Sequence, residues 1–153
     1  MKRALSLAIA ATVTCAALGT ALAQSRNDRV IKYRQDVLGA MGFNFGAMGQ
    51  MAQGRRPFDA AEFKRRAERV SALAQLMDVN EMFPATSDEG AVTDAKADIW
   101  ENLADFTAKM NDMKLASNEL ARIAKAGDEA AMKKQFGKTG ATCKACHDEY
   151  KAE

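Results

Sequence analysis

Cys143-Lys144-Ala145-Cys146-His147, close to the C-terminus, reads C-x-x-C-H, and the rest of the chain can be read as the housing for it. The spacing is that of a c-type haem attachment sequence. Two thiols must each add across a different vinyl group of one porphyrin, and on a helix residues three apart share a face. His147 follows Cys143 by four residues on that same face, where its imidazole serves as axial ligand while two thioethers fix the ring. The expected cofactor is one haem c, held through Cys143 and Cys146, with His147 on the metal.

A bare C-x-x-C has two other uses, as a redox pair or as half a zinc site. Zinc needs four ligands, yet the chain has one histidine and only one further cysteine, Cys15, in a segment expected to be removed. A thioredoxin-like pair opens a helix after a strand, whereas this motif comes late in a helical pattern with no strand before it. The pair is also compatible in principle with a disulfide; the adjoining histidine favours thioethers.

Residues 1–23 read as a secretory signal. Lys2 and Arg3 form a positive start, Ala4 to Leu18 is an uncharged run of apolar and small residues, and Ala21-Leu22-Ala23 is an A-x-A cleavage site. A lipoprotein reading would make Cys15 the new N-terminus, which Thr12-Val13-Thr14 suits poorly. Cleavage after Ala23 leaves 130 residues, and no later stretch is long and apolar enough to span a bilayer. Bacterial c-type haem is attached outside the cytoplasmic membrane, so the expected location is the periplasm. Loss of Lys2 and Arg3 leaves 20 basic against 20 acidic residues. No strong field remains for nucleic acid or an anionic membrane.

The mature length suits one domain, 24–153. Two prolines, Pro57 and Pro84, and apolar residues recurring at three and four predict an all-α fold. A first helix is expected from Arg26 to Gln53, with Val30, Arg34, Val37, Leu38, Met41, Phe45, Met48 and Met51 on its inward side and Gly54 as C-cap. Gly39, Gly42, Gly46 and Gly49 each lower helix propensity by about 1 kcal/mol. Small residues there would also admit a neighbouring helix or a flat ring.

A second helix follows Pro57, where Asp59 and Glu62 match an acidic capping box and Phe63, Ala67, Val70, Ala74 and Met77 mark the buried side. Residues 78–96 lack helical periodicity and predict a long connection. A third helix is expected over 98–125, with Ile99, Leu103, Phe106, Met110, Met113, Leu120 and Ile123 inward, closed by Gly127. A fourth, over 128–150, carries Met132, Phe136, Cys143, Cys146, His147 and Tyr150, so that cofactor and core coincide. Four such helices imply an antiparallel four-helix bundle enclosing the haem.

In order along the chain, Tyr33-Arg34-Gln35, Gly54 to Asp59, Asp98-Ile99-Trp100 and Cys143 to Tyr150 resemble the cytochrome c′ family, the class II c-type cytochromes, over nearly the whole mature length. The resemblance implies thioethers at Cys143 and Cys146, His147 as proximal ligand, Arg34 and Gln35 at the haem edge near the propionates, and Asp94 in the haem surroundings. It also implies a homodimer through the first two helices. Low-spin relatives place a methionine ligand four residues after the position that here is Arg34. Leu38 stands there and cannot ligate iron. The resemblance therefore favours five-coordinate iron with an apolar distal face open to NO and CO, one-electron redox change, and an electron-transfer partner protein.

Met41, one turn along, is the competing sixth ligand; methionines at helical spacing are more often core fillers. A low-spin His/Met electron carrier is thus one alternative. A haem enzyme consuming NO or peroxide is the other, and it would need a distal acid-base group. Leu38, Met41 and Phe45 supply none, so a non-enzymatic haem protein is expected. Trp100 reads as core or interface packing, Arg34 as partner to a propionate or other buried anion, and Lys151 as complement to the helix C-terminal dipole in preference to a proximal hydrogen bond.

Overall fold

In a computed structural model, residues 1, 86, 89 and 90 lie outside the described residues, and of residues 2–25 only helical backbone is described. The expected leader and its cleavage site fall in that stretch, outside the described side chains. The elements are α1 (Lys2–Ala52), α2 (Ala60–Gln75), α3 (Val79–Met82), α4 (Asp98–Glu101), α5 (Leu103–Ala126) and α6 (Glu129–Tyr150). Among the described residues there is no strand, only an isolated antiparallel bridge between Ala95 and Lys151. No helix among them is long and apolar enough to cross a membrane.

The four long helices make the bundle. α1 packs on α2, α2 on α5 and α5 on α6, while α1 and α6 meet only sparingly. α1 buries Ile31, Arg34, Val37, Met41, Met48 and Met51. The predicted stripe is therefore correct except at its start, where Ile31 is buried and Val30 only half-buried, at Leu38, which is 38 % exposed, and at Phe45, which is half-buried against the core. All eight methionines after Met1 are buried: an unbranched thioether fills irregular space between helices.

Each terminus has a local cause. Gly54 sits at φ 71° and Gly127 at φ 83°, left-handed turns that glycine adopts without a Cβ clash. Asp59 Oδ1 accepts from the Glu62 N–H at 2.9 Å, the expected cap. The reciprocal half of the box is absent: Glu62 turns to Arg56 and Arg66, at 2.8 and 2.7 Å, because two guanidiniums attract its carboxylate more strongly than one backbone N–H.

Two expectations need correcting. The connection over 78–96 contains α3, capped by Asp78, whose Oδ1 accepts from Asn80 N and Glu81 N; a single turn is too short to show periodicity. The expected third helix is broken at Asn102 (φ −123°, ψ 38°), whose side-chain amide donates to Asp98 O at 3.1 Å and so competes with continuous helix. Leu103, expected inward, is 38 % exposed just after that break.

Candidate functional site

Where α1 and α6 stand apart, a cavity of about 520 Å³ opens between them, floored by α5 and crossed by the segment 93–95. α6 contributes Cys143, Cys146 and His147; α1 contributes Arg34, Gln35, Leu38, Met41, Gly42 and Phe45; Phe106, Met110 and Met113 come from α5. Every candidate site residue, Asp94 included, lines this one cavity.

The donor set fits a covalently held porphyrin. Cys143 and Cys146 are free, half-buried thiols, with His147 beside them on the cavity wall. On the α1 side, a Cβ added at Gly39 or Gly42 would meet no heavy atom within 4 Å. The glycines there face the open cavity, not a neighbouring helix, so the flat-ring reading of their smallness fits better than the helix-approach one. Gly49 differs, resting 3.4 Å from the Phe136 ring.

The alternatives fare worse. Among the described residues no group of three or more His, Cys, Asp or Glu side chains is arranged to hold a metal ion, so zinc gains no support. A redox dithiol works through a lowered thiol pKa, whereas burial pushes both thiols up, Cys146 to about 11. Burial, with a smaller contribution from Lys151, holds the His147 imidazole below its ordinary value.

The polar residues of the rim are engaged by a strap. Arg34 is 2 % exposed. Its Nη1 donates to Ser87 Oγ at 3.1 Å and its Nη2 to Ser87 O at 3.1 Å and Thr93 Oγ1 at 2.9 Å. The guanidinium lies 4.9 Å from the Phe83 ring centroid and 5.9 Å from that of Trp100. Burial lowers its pKa, partly offset by Asp88. Among the described residues its hydrogen-bond partners are thus carbonyl and hydroxyl oxygens of the connection. Gln35 Nε2 donates to Val92 O at 2.9 Å.

At the strap's other end the chain pairs with the C-terminus. Lys96 N donates to Tyr150 O at 3.1 Å and Ala152 N to Asp94 O at 2.8 Å, and Lys151 Nζ meets Asp94 Oδ2 at 3.1 Å. Lys151, the C-cap of α6, leaves the helix in an extended conformation (φ −112°, ψ 131°) that aims it at the strap, so its ammonium gains the Asp94 carboxylate as a partner that the dipole reading did not foresee. Trp100 is half-buried packing, as expected, and its indole N–H donates to Phe83 O and Pro84 O.

Sequence reasoning missed Phe83, Thr93, Ala95, Lys109 and Thr142 as cavity residues. Lys109 lies three residues after Phe106 and next to Met110, a placement on the inward stripe that would have found it. No signal marks Thr93.

Residues 29–151 match the family model described as cytochrome C′. A cytochrome c′ of Halomonas halodenitrificans is 39 % identical over 126 residues, covering 80 % of this chain and 96 % of the relative. Among solved structures, a cytochrome c prime from Shewanella frigidimarina superposes with TM-score 0.77 at 42 % identity, over 83 % of this chain and 97 % of that one. A nitric oxide complex of a leucine-to-isoleucine mutant of cytochrome c prime from Alcaligenes xylosoxidans gives TM-score 0.72 at 34 % identity, over 83 % and 97 %.

Proposed function

This chain belongs to the cytochrome c′ family, and from that premise we propose that it is a periplasmic haem c protein with five-coordinate iron, undergoing one-electron redox change and taking NO or CO on its α1 side. The observation that carries the reading is the meeting of Cys143, Cys146 and His147 with Leu38 and Gly42 in one cavity. Haem c, the cofactor of this family, supplies a redox-active metal with one position left for a diatomic gas.

The chain's own residues do the rest. Cys143 and Cys146 would hold the ring covalently on α6, with His147 as metal ligand from the same helix. Leu38 and Phe45 present carbon to the cavity from α1 and offer no proton. Arg34 and Gln35 are committed to the strap, and Asp94, within it, to Lys151, which keeps polar hydrogens away from a bound gas and favours small, strongly bonding ligands over water. The absence of a distal acid-base group argues against turnover. Homodimerisation through α1 and α2 completes the reading, supported by Phe43, 72 % exposed on α1.

Oxidised and reduced absorption spectra of the haem-loaded protein, repeated with NO, test this. A broad high-spin Soret band and one merged visible band are expected, changing with NO. Sharp, split low-spin bands would assign Met41 as sixth ligand, and a colourless protein would remove the haem. Sustained catalytic loss of NO or peroxide would make it an enzyme; sedimentation as a monomer would remove the dimer.

A further inference from the structure

Tyr150 is buried to 5 % exposure, lines the cavity, and donates its phenol hydrogen to Asp105 Oδ2 at 2.6 Å. The bond is short and charge-assisted. It holds the phenol well above its usual pKa, at about 12, and the carboxyl below its own. Phe106 covers the ring edge-on, with centroids 5.2 Å apart. The carboxylate is not isolated: Lys109 Nζ lies 3.5 Å from the same Oδ2 and 3.2 Å from Glu149. Asp105 is itself about half exposed, so a proton arriving there has a route to water.

A phenol that is shielded from solvent, next to a redox cofactor and bonded to an ionised base is the arrangement in which losing an electron and losing a proton become one step. We propose that Tyr150, with Asp105 as its proton acceptor, is a redox-active pair that reduces the haem site when hydrogen peroxide over-oxidises it. The reading rests on the haem c assignment above. In the step, hydrogen peroxide would be the two-electron oxidant: its O–O bond breaks, one electron coming from the haem site and one from Tyr150, and with two protons from water its oxygens leave as two water molecules. The phenolic proton crosses to Asp105 Oδ2, leaving a neutral phenoxyl radical; one electron from an electron-transfer partner protein, with the proton returning from Asp105, restores the phenol.

The other oxidisable rings are less well placed. Trp100 donates its indole hydrogen to two backbone carbonyls, Phe83 O and Pro84 O, neither of them a base that can take the proton. The Arg34 cation over its ring opposes a positive charge there. Tyr33 is 37 % exposed on the outer side of α1 and does not line the cavity.

The chain has two tyrosines, which makes the test decisive. Ferric holoprotein is mixed with hydrogen peroxide, frozen and examined by electron paramagnetic resonance, with and without ring-deuterated tyrosine. A tyrosyl signal that narrows on deuteration, survives Tyr33→Phe and disappears in Tyr150→Phe is expected, together with loss of most of the signal in Asp105→Asn. Where Tyr150→Phe fails to fold, the surface variant Tyr33→Phe decides alone, since a tyrosyl signal retained there belongs to Tyr150. No tyrosyl signal in coloured protein, loss of it with Tyr33→Phe, an indole radical instead, or a full signal in Asp105→Asn overturns the proposal. A colourless preparation is recognised before peroxide is added and overturns the haem assignment together with this one.

Discussion

Asp94 Oδ2 and Lys151 Nζ stand 3.1 Å apart at the rim of the cavity, joining the strap to the residue that ends α6. Both side chains are about half exposed or more, and exposed pairs contribute roughly 0–1 kcal/mol. The backbone bonds beside them, Ala152 N to Asp94 O and Lys96 N to Tyr150 O, do not need the ion pair. Asp94→Asn and Lys151→Gln are therefore expected to lower stability by less than about 1 kcal/mol each, with a coupling in the double variant that shrinks in high salt. Urea unfolding of the four proteins measures it, and a larger, salt-insensitive coupling would mean that the pair holds the strap down.

Arg34 is the opposite case. It is buried, and its hydrogens satisfy Ser87 O, Ser87 Oγ and Thr93 Oγ1. Replacing it by methionine keeps volume but leaves those oxygens to find other partners, at an expected cost of roughly 2–4 kcal/mol. Arg34→Lys should restore little, because an ammonium cannot span a fork of acceptors. Unfolding midpoints give the cost, and limited proteolysis should show earlier cutting within 83–96. Full rescue by lysine would show that charge alone, independent of fork geometry, fastens the strap.

The attachment site was legible because thioether chemistry demands its residues within one helical turn. Arg34 was legible as a site residue because a charged side chain interrupts an apolar stripe without shifting its period. Its partners were not, since they lie 53 and 59 residues further on in a stretch with no period to read. Lys151 shows the same limit: a lysine after a helix end fits the dipole rule, and only the fold brings Asp94 beside it. Asn102 broke a helix that the apolar spacing of Ile99, Leu103 and Phe106 had made look continuous, because a side-chain amide bond to Asp98 O leaves no mark on that spacing.

Glu62 carries the clearest pH dependence. Hydrogen bonds from Arg56 first, then Arg66, hold its carboxyl down to about 2, from an ordinary 4.5. With the folded value depressed, the native state binds the proton less readily than the unfolded chain, so the stabilisation is complete above about 4.5 and fades as pH falls toward 2. Wild type should exceed Glu62→Gln in stability at neutral pH, and the two should converge over that acid window. Denaturant melts at a series of pH values check it; a gap that stays constant would show that Glu62 contributes by packing, not by charge.

Gly42 and Gly46 separate the cost of a glycine from its use. Neither has a heavy atom within 4 Å of an added Cβ, and both lie inside α1, where alanine gains roughly 0.5–1 kcal/mol over glycine. Only Gly42 lines the cavity. Gly46→Ala should therefore raise the holoprotein's unfolding midpoint and leave its spectrum and CO affinity unchanged. Gly42→Ala removes the same backbone entropy but places a methyl group where the porphyrin reading puts the ring. Its gain should shrink or reverse, with an altered Soret band or weakened CO binding. If the two variants match in stability, spectrum and CO affinity, the ring does not lie against α1, and the smallness of Gly42 has no bearing on the cofactor.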